Sequence, residues 1–440
     1  MNPWLAILVC TLLLGALLAI TARASKSNKV APETARKMVH VGMGLICLTF
    51  PWIFSDVWPV LVLGGMAITG LIAIRYSRLR NSIGSGLFAV SRHSLGEILF
   101  PIGVAWVFSM SKGNPVTYIP PILLLTIADT AGAIAGTRWG KHHFNAAGSV
   151  KSIEGSSAFA IAGFLSVAAP LFLFSTLSAV TILSLSTAIA IFTMAVEGAT
   201  GHGADNILLP VGSYFLIDYY LGLEHSALWL RVIALVVLLV LLLVLHKRHA
   251  LNGAAILTAM LFGFAAFMLG GPASLLSGLA LFIVHLLVQR TIPKERCVKY
   301  SIDIIFAFAL PSLFWLAVSD GLHLPLAVCQ LGFISSLCAS VAMLHAGTML
   351  FTGREGHAPG MCLVKTLFVA APALLIRDLP PSYLISWCTS TLVMSLISAR
   401  VFYCWRGHPH DDAPDTWWKV AILSLAASAL TVSLTQLLCS

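Results

Sequence analysis

Apolar runs long enough to cross a bilayer recur along this chain from its first residues to its last. Such a run needs about 20 predominantly apolar residues. The runs fall near 3–22, 38–54, 57–75, 94–110, 115–135, 156–175, 178–197, 207–222, 227–246, 251–269, 272–289, 300–318, 324–350, 360–377, 380–400 and 417–437. In lipid, backbone polar groups must be satisfied within the protein, so each run has to close its own hydrogen bonds as a helix. A transmembrane barrel would instead alternate apolar and polar residues over segments of about 10. Composition agrees: 58% of the chain is hydrophobic and 10% charged, where a soluble domain carries roughly a quarter charged residues. The expected fold is an all-α polytopic integral membrane protein of about 16 transmembrane helices.

The net charge of +9 sits in short loops, where cations set topology. The first run lacks a basic residue before its apolar core, and Arg23, Lys26 and Lys29 follow it. That pattern reads as a retained first span with the N-terminus outside. Every second loop then faces the cytoplasm, and those loops hold most of the 26 lysines and arginines. No nucleic-acid-binding module is present; anionic headgroups or a phosphorylated substrate are the other partners such charge suits. The nine cysteines form no CxxC pair and read as small packing residues.

Three polar segments share the expected cytoplasmic face: "APETARKMVHVG" (31–42), "ADTAGAIAGTRWGKHHFNAAGSVKSIEGS" (128–156) and "VEGATGHGADNILLP" (196–210). Asp129 closes an apolar run, where a carboxylate is costly and marks function. Gly132, Gly136 and Gly140 follow on its helical face. They suit either a close helix contact or approach of a nucleotide to bare backbone. Asp129 is a candidate Mg²⁺ ligand, since that ion takes a few carboxylates with phosphate oxygens and water. Glu197, ending an apolar helix, is the second candidate ligand. Arg36 and Lys37 are candidate phosphate contacts. Lys151 stands beside a helix start that Ser152 can cap, with Glu154 in the first turn, a place suited to phosphate. Asp205 either serves chemistry or caps the next helix. The histidines show no zinc-ligand spacing.

Taken together, ExxRKxxHxGxG (Glu33 to Gly44), ADTxGxxxGxxxGKH (Ala128 to His142), KSxEGS (Lys151 to Ser156) and Glu197 followed by Asp205, Asn206 and Pro210 resemble the polyprenol kinase family. That family includes phytol, dolichol and CTP-dependent diacylglycerol kinases. The resemblance covers roughly 30–245 and implies a membrane enzyme that phosphorylates a lipid alcohol with CTP and Mg²⁺. Phosphatidate cytidylyltransferases share a similar aspartate and glycine segment. Their later Lys-Asp and Asp-Arg-x-Asp elements are missing here, where only "GHGADN" stands. After 250 the chain departs from most such kinases. "LNGAAILTAMLFGFAAFMLGG" (251–271) resembles the start of a related family that includes phytyl-phosphate kinases, but the acidic motif expected later is absent at 339–348.

The expected organisation is a catalytic membrane domain at 1–248 and a second membrane domain at 249–440 without its own active site. A faint echo of 128–143 at 339–357 puts Ser340 where Asp129 stands, a similarity that small-residue helices produce by chance. The expected reaction is phosphoryl transfer to a lipid alcohol on the cytoplasmic face. Asp129, Lys151, Glu154 and Asp205 are the candidate catalytic residues, with the general base open among Asp129, Glu154 and Asp205. Arg36, Lys37, Lys151 and the three glycines would contact the nucleotide. A cytidylyltransferase-like reaction and a transporter or flippase are the alternatives. The transporter would show charges near the midplane and pseudo-symmetric halves, whereas the acids here cluster toward one end of their runs.

Overall fold

The computed structural model describes residues 2–27, 32–77, 95–146, 149–245, 251–289, 299–319, 321, 324–352, 358–405 and 414–439. Several loop cations of the topology argument, among them Arg78, Arg80, Arg92, Lys247, Arg248, Arg290 and Lys294, lie outside these residues, as does the expected boundary at 248/249. The chain divides into two compact units, 1–236 and 237–440.

Nearly all described residues are helical, and each of the sixteen expected segments falls on a helix. Among the described residues, ten helices are long and apolar enough to cross a membrane. Three shorter apolar helices, Gly96–Ser111, Ile302–Ala317 and Gly360–Leu375, fall below that length. The sixteen-span expectation runs higher because it counts these, some less apolar helices, and both halves of one long kinked helix.

The first unit contains α1 (Pro3–Lys26), α2 (Pro32–Leu48), α3 (Val57–Tyr76), α4 (Gly96–Ser111), α5 (Pro115–Trp139), a hairpin of β1 (His143–Ala146) and β2 (Ser149–Ser152), α6 (Ile153–Phe174), α7 (Ala179–Ala199) and α8 (Asp205–Leu221). The division between units falls inside α9 (His225–Val244). Side-chain caps fix several helix starts: Asn2 accepts from Trp4 N, Asn114 from Val116 N, and Ser178 from Thr181 N. Each cap satisfies a donor that the first turn leaves over, typically ~1 kcal/mol. Buried aromatic and aliphatic side chains from α1 to α5 and α8 form one core, including Phe50, Phe100, Phe108, Tyr118 and Tyr214. Tyr118 donates to the Cys47 carbonyl at 2.9 Å, so its buried hydroxyl is satisfied.

One departure from regularity bears on the site. Within α5, Leu124–Ala128 is a π-helical turn, in which Asp129 N reaches back to Leu124 O. A π turn holds one residue more than an α turn, which rotates all that follows by about 100°. Asp129, Gly132 and Gly136 lie beyond it and keep their shared face. Gly44 of α2 lies against this turn: a Cβ there would sit 2.5 Å from Thr126 Cγ2 and 2.7 Å from Thr126 Cβ.

The second unit contains α10 (Gly253–Gln289), α11 (Ile302–Ala317), α12 (Leu326–Thr352), α13 (Ala358–Ala370), α14 (Pro381–Cys404) and α15 (Pro414–Cys439). The expected break between 269 and 272 is a kink inside α10, where Gly271 adopts φ 65°. Pro272 follows it and has no N–H for the helical ladder. Gln330 of α12 donates to the Gly270 carbonyl at the kink, at 2.9 Å. α12 is the most buried of the long helices and carries much of this unit's core, including Phe333, Leu337 and Cys338. Ser340 is buried and donates to Ser336 O in its own helix at 2.9 Å.

Candidate active site

Four stretches far apart in sequence line one cavity of about 690 Å³ in the first unit. That volume falls in the usual range for small-molecule sites. Its wall includes Arg36, Lys37 and His40 of α2, Asp129, Gly132 and Gly136 of α5, and Gly140 just past it. Lys151 and Ser152 of β2 and Glu197 of α7 complete a second side, with Asp205 and Asn206 of α8.

Two ion pairs span the cavity wall. Lys37 Nζ lies 2.6 Å from Asp129 Oδ2, and both side chains are well shielded, 14% and 12% exposed. Lys37 and His40 are three apart on α2 and so face the same way. His40 Nε2 donates to the Leu125 carbonyl in the π turn at 2.8 Å and lies 3.5 Å from Asp129 Oδ2. The second pair is Lys151 Nζ with Glu197 Oε1 at 2.5 Å, and Lys151 also donates to the Glu197 carbonyl. Lys151 reaches Glu197 because β2 pairs with β1, Lys151 opposite Phe144.

Ser152 caps α6 as expected, its Oγ accepting from Gly155 N at 3.1 Å. Glu154 is placed differently from the other candidates. Its carboxylate accepts from Lys141 N at 3.1 Å and His142 N at 3.3 Å, and its other oxygen meets His142 Nδ1 at 2.7 Å. These bonds tie the neck of the hairpin, and Glu154 is not part of the cavity wall. Asp205 sits in the first turn of α8, one residue inside the helix start, and Oδ1 accepts from Asn206 N at 3.1 Å.

The three glycines do two things at once. They line the cavity, and they let α5 pack closely on α6. A Cβ on Gly132 would meet Phe159 Cβ at 3.1 Å, one on Gly136 would meet Ser152 Oγ at 3.2 Å, and one on Gly155 would meet Gly132 O at 2.9 Å. Helix packing therefore accounts for much of the stripe. Opposite it, the turn before α8 places His202 at φ 56° and Gly203 at φ 86°. Left-handed backbone at a non-glycine residue is strained and concentrates at functional sites.

Sequence reasoning missed Glu97, in the first turn of α4 and on the cavity wall. It was readable as an acid at the mouth of an apolar run. Ser149 and Thr137 also line the cavity without having been singled out, as do Ser156 of the KSxEGS motif and His143 and His202, two of the histidines without zinc-ligand spacing. Glu97 Oε2, Ser149 Oγ and Ser156 Oγ are buried with no hydrogen-bond partner. Buried polar atoms without partners require an explanation, and a ligand is one.

The wall carries four carboxylates (Glu97, Asp129, Glu197, Asp205) against three lysine or arginine heads (Arg36, Lys37, Lys151). A phosphorylated ligand bound here would add further negative charge, and a divalent cation would fit this donor set. Among the described residues no cluster of three or more His, Cys, Asp or Glu side chains is preformed around one metal position. Mg²⁺ does not require one, because phosphates and water complete its shell.

The phytol kinase of Synechocystis sp. (strain ATCC 27184 / PCC 6803 / Kazusa) is 29% identical to this chain over 231 residues, 52% of this chain and 94% of that protein. No family model matches the chain, and no solved structure does. The similarity to that phytol kinase extends over about half of this chain.

Proposed function

Starting from kinship with phytol kinase, we propose that this protein is a membrane-embedded lipid-alcohol kinase. It transfers the terminal phosphoryl group of a nucleoside triphosphate, CTP, to a prenyl alcohol such as phytol, with Mg²⁺. The observation that carries this reading is the meeting of the Lys37–Asp129 and Lys151–Glu197 pairs in one cavity. The cavity opens toward the cytoplasm, where nucleotide is available, and the alcohol enters from the bilayer with its tail between helices.

Phosphoryl transfer of this kind depends on positioning and charge neutralisation rather than on covalent chemistry by the protein. Arg36, Lys37 and Lys151 contact the phosphates, with Arg36 able to bind two oxygens at once. Each ammonium has three N–H donors, so the two lysines can meet a phosphate oxygen while keeping their carboxylate partners. Ser149 and Ser156 hydroxyls, without partners otherwise, donate to phosphate oxygens. Cavity carboxylates would hold a divalent cation, whose charge would offset that of the nucleoside diphosphate. Asp129 and Glu197, the expected ligands, are each already paired with a lysine. The alcohol oxygen forms the new bond to phosphorus, the bond to the nucleoside diphosphate breaks, and the alcohol proton passes to a carboxylate. Asp129 and Asp205, both on the wall, are the candidate bases; Glu154 is occupied at the hairpin neck.

The test is transfer of label from γ-labelled CTP or ATP, in membranes containing the protein, to phytol, geranylgeraniol, undecaprenol and diacylglycerol. Labelled phytyl phosphate is the expected product. Label in none of the four removes the proposal.

A further inference from the structure

We propose that Glu97 and Asp205, from the first turns of α4 and α8, hold the divalent cation that accompanies the triphosphate into the cavity. The inference rests on the kinase reading and assigns the metal to residues other than the Asp129 and Glu197 expected from sequence.

The argument begins with charge accounting. Lys37 and Lys151 already neutralise Asp129 and Glu197 at 2.6 and 2.5 Å. Among the described residues, Glu97 and Asp205 are the cavity carboxylates in no ion pair. Glu97 Oε2 is moreover buried without any hydrogen-bond partner. An anionic oxygen left so is expensive unless a cation or water completes it.

Topology brings the two acids to the same part of the cavity. Leu95 N donates to His202 O at 3.1 Å, so α4 and the turn before α8 begin side by side. Further along, a Cβ on Gly103 would sit 2.7 Å from Asn206 O and 3.0 Å from Pro210 Cγ. The two helices therefore start together and advance in the same direction in close contact. Glu97 and Asp205 are both first-turn residues at these adjacent starts.

First-turn acids commonly do no more than offset the helix dipole. Two observations favour a ligand here. The unpartnered Glu97 oxygen is not being used by the backbone donors of its own helix start. Two further unpartnered atoms, Ser149 Oγ and Ser156 Oγ, line the same cavity. Paired helix starts favour phosphate, and Mg²⁺ binds through one or two carboxylates plus substrate phosphates. The donor set thus suits a divalent cation carried in with the nucleotide.

The experiment is Mn²⁺ titration of the purified full-length protein, read by electron paramagnetic resonance with and without CTP. It compares wild type with Glu97→Gln, Asp205→Asn, Asp129→Asn, Glu197→Gln and Asp303→Asn. Asp303, a first-turn acid of the second unit bonded to Ser301, reports on dipole loss alone. Glu97→Asp keeps the charge and covers the case in which Glu97→Gln fails to fold. The expected result is Mn²⁺ binding by wild type that weakens at least ~10-fold in Glu97→Gln and in Asp205→Asn. Glu97→Asp is intermediate, and the other variants stay near wild type. Wild-type affinity in Glu97→Gln and Asp205→Asn overturns the assignment, as does a loss confined to Asp129→Asn or Glu197→Gln, or no binding by wild type in either condition. Failure of the kinase reading is a separate result, absence of any lipid phosphate, and leaves the Mn²⁺ comparison standing.

Discussion

Gly44 gives the sharpest link between packing and chemistry. It is one helical turn from His40 and two from Lys37 and Arg36, and it lies against Thr126, three residues before Asp129. In Gly44→Ala the new methyl falls 2.5–2.7 Å from Thr126 Cγ2 and Cβ. Carbon atoms rest at about 3.5–4.0 Å, so α2 and α5 must part by about 1 Å. Overpacking of this kind costs about 1–3 kcal/mol of stability. The same displacement pulls Lys37 and Asp129 apart, and a shift of about 1 Å in a positioned group costs about 10²-fold in rate. The assay is label transfer from CTP to phytol together with thermal unfolding of the purified protein. Thr126→Ala removes Oγ1 and Cγ2, so the Gly44→Ala/Thr126→Ala double variant should recover part of both losses. Full activity in Gly44→Ala, or a loss that Thr126→Ala leaves untouched, refutes the reasoning.

Other predictions follow from the same geometry. Lys37→Met and Lys151→Met each remove a proposed phosphate contact and leave a shielded carboxylate uncompensated; transfer should fall about 10²-fold or more, with a lower unfolding temperature. Glu154→Gln should reduce transfer less than Asp129→Asn does, in side-by-side assays, because Glu154 ties the hairpin neck rather than lining the cavity. Gly155→Ala sets a methyl 2.9 Å from Gly132 O and 3.1 Å from Gly136 Cα, and should lower both stability and transfer. Ser340→Ala should leave transfer at the wild-type rate, since Ser340 bonds only within its own helix in the second unit.

Much of the wall of this cavity was legible in the sequence because membrane chemistry makes polar residues conspicuous. Asp129 and Glu197 stand out where apolar runs end, and Arg36, Lys37 and Lys151 stand beside helix starts. Their partners were not legible. Lys37 with Asp129 and Lys151 with Glu197 are pairings across 92 and 46 residues, and no local pattern specifies them. Glu97 was readable as an acid at the mouth of an apolar run, but its place on the cavity wall and its buried oxygen came only from the fold. The hairpin of β1 and β2 has four-residue strands, too short for alternation to show. The π turn at Leu124–Ala128 likewise has no periodic signature. The glycine stripe was readable as a face, but whether it served packing or ligand access depended on Ser152, Gly155 and Phe159 opposite. Local hydropathy marks apolar helices but not their reach: among the described residues ten are long and apolar enough to cross a membrane, against sixteen expected segments.

The central claim is that the Lys37–Asp129 and Lys151–Glu197 cavity phosphorylates a lipid alcohol. Its most direct measurement is the initial rate of phytyl phosphate formation from CTP by the purified protein in bilayers, wild type against Asp129→Asn. The account predicts steady Mg²⁺-dependent turnover by wild type and a loss of at least about 10²-fold in the variant. Equal rates in the two proteins, or no phytyl phosphate from either, would contradict it.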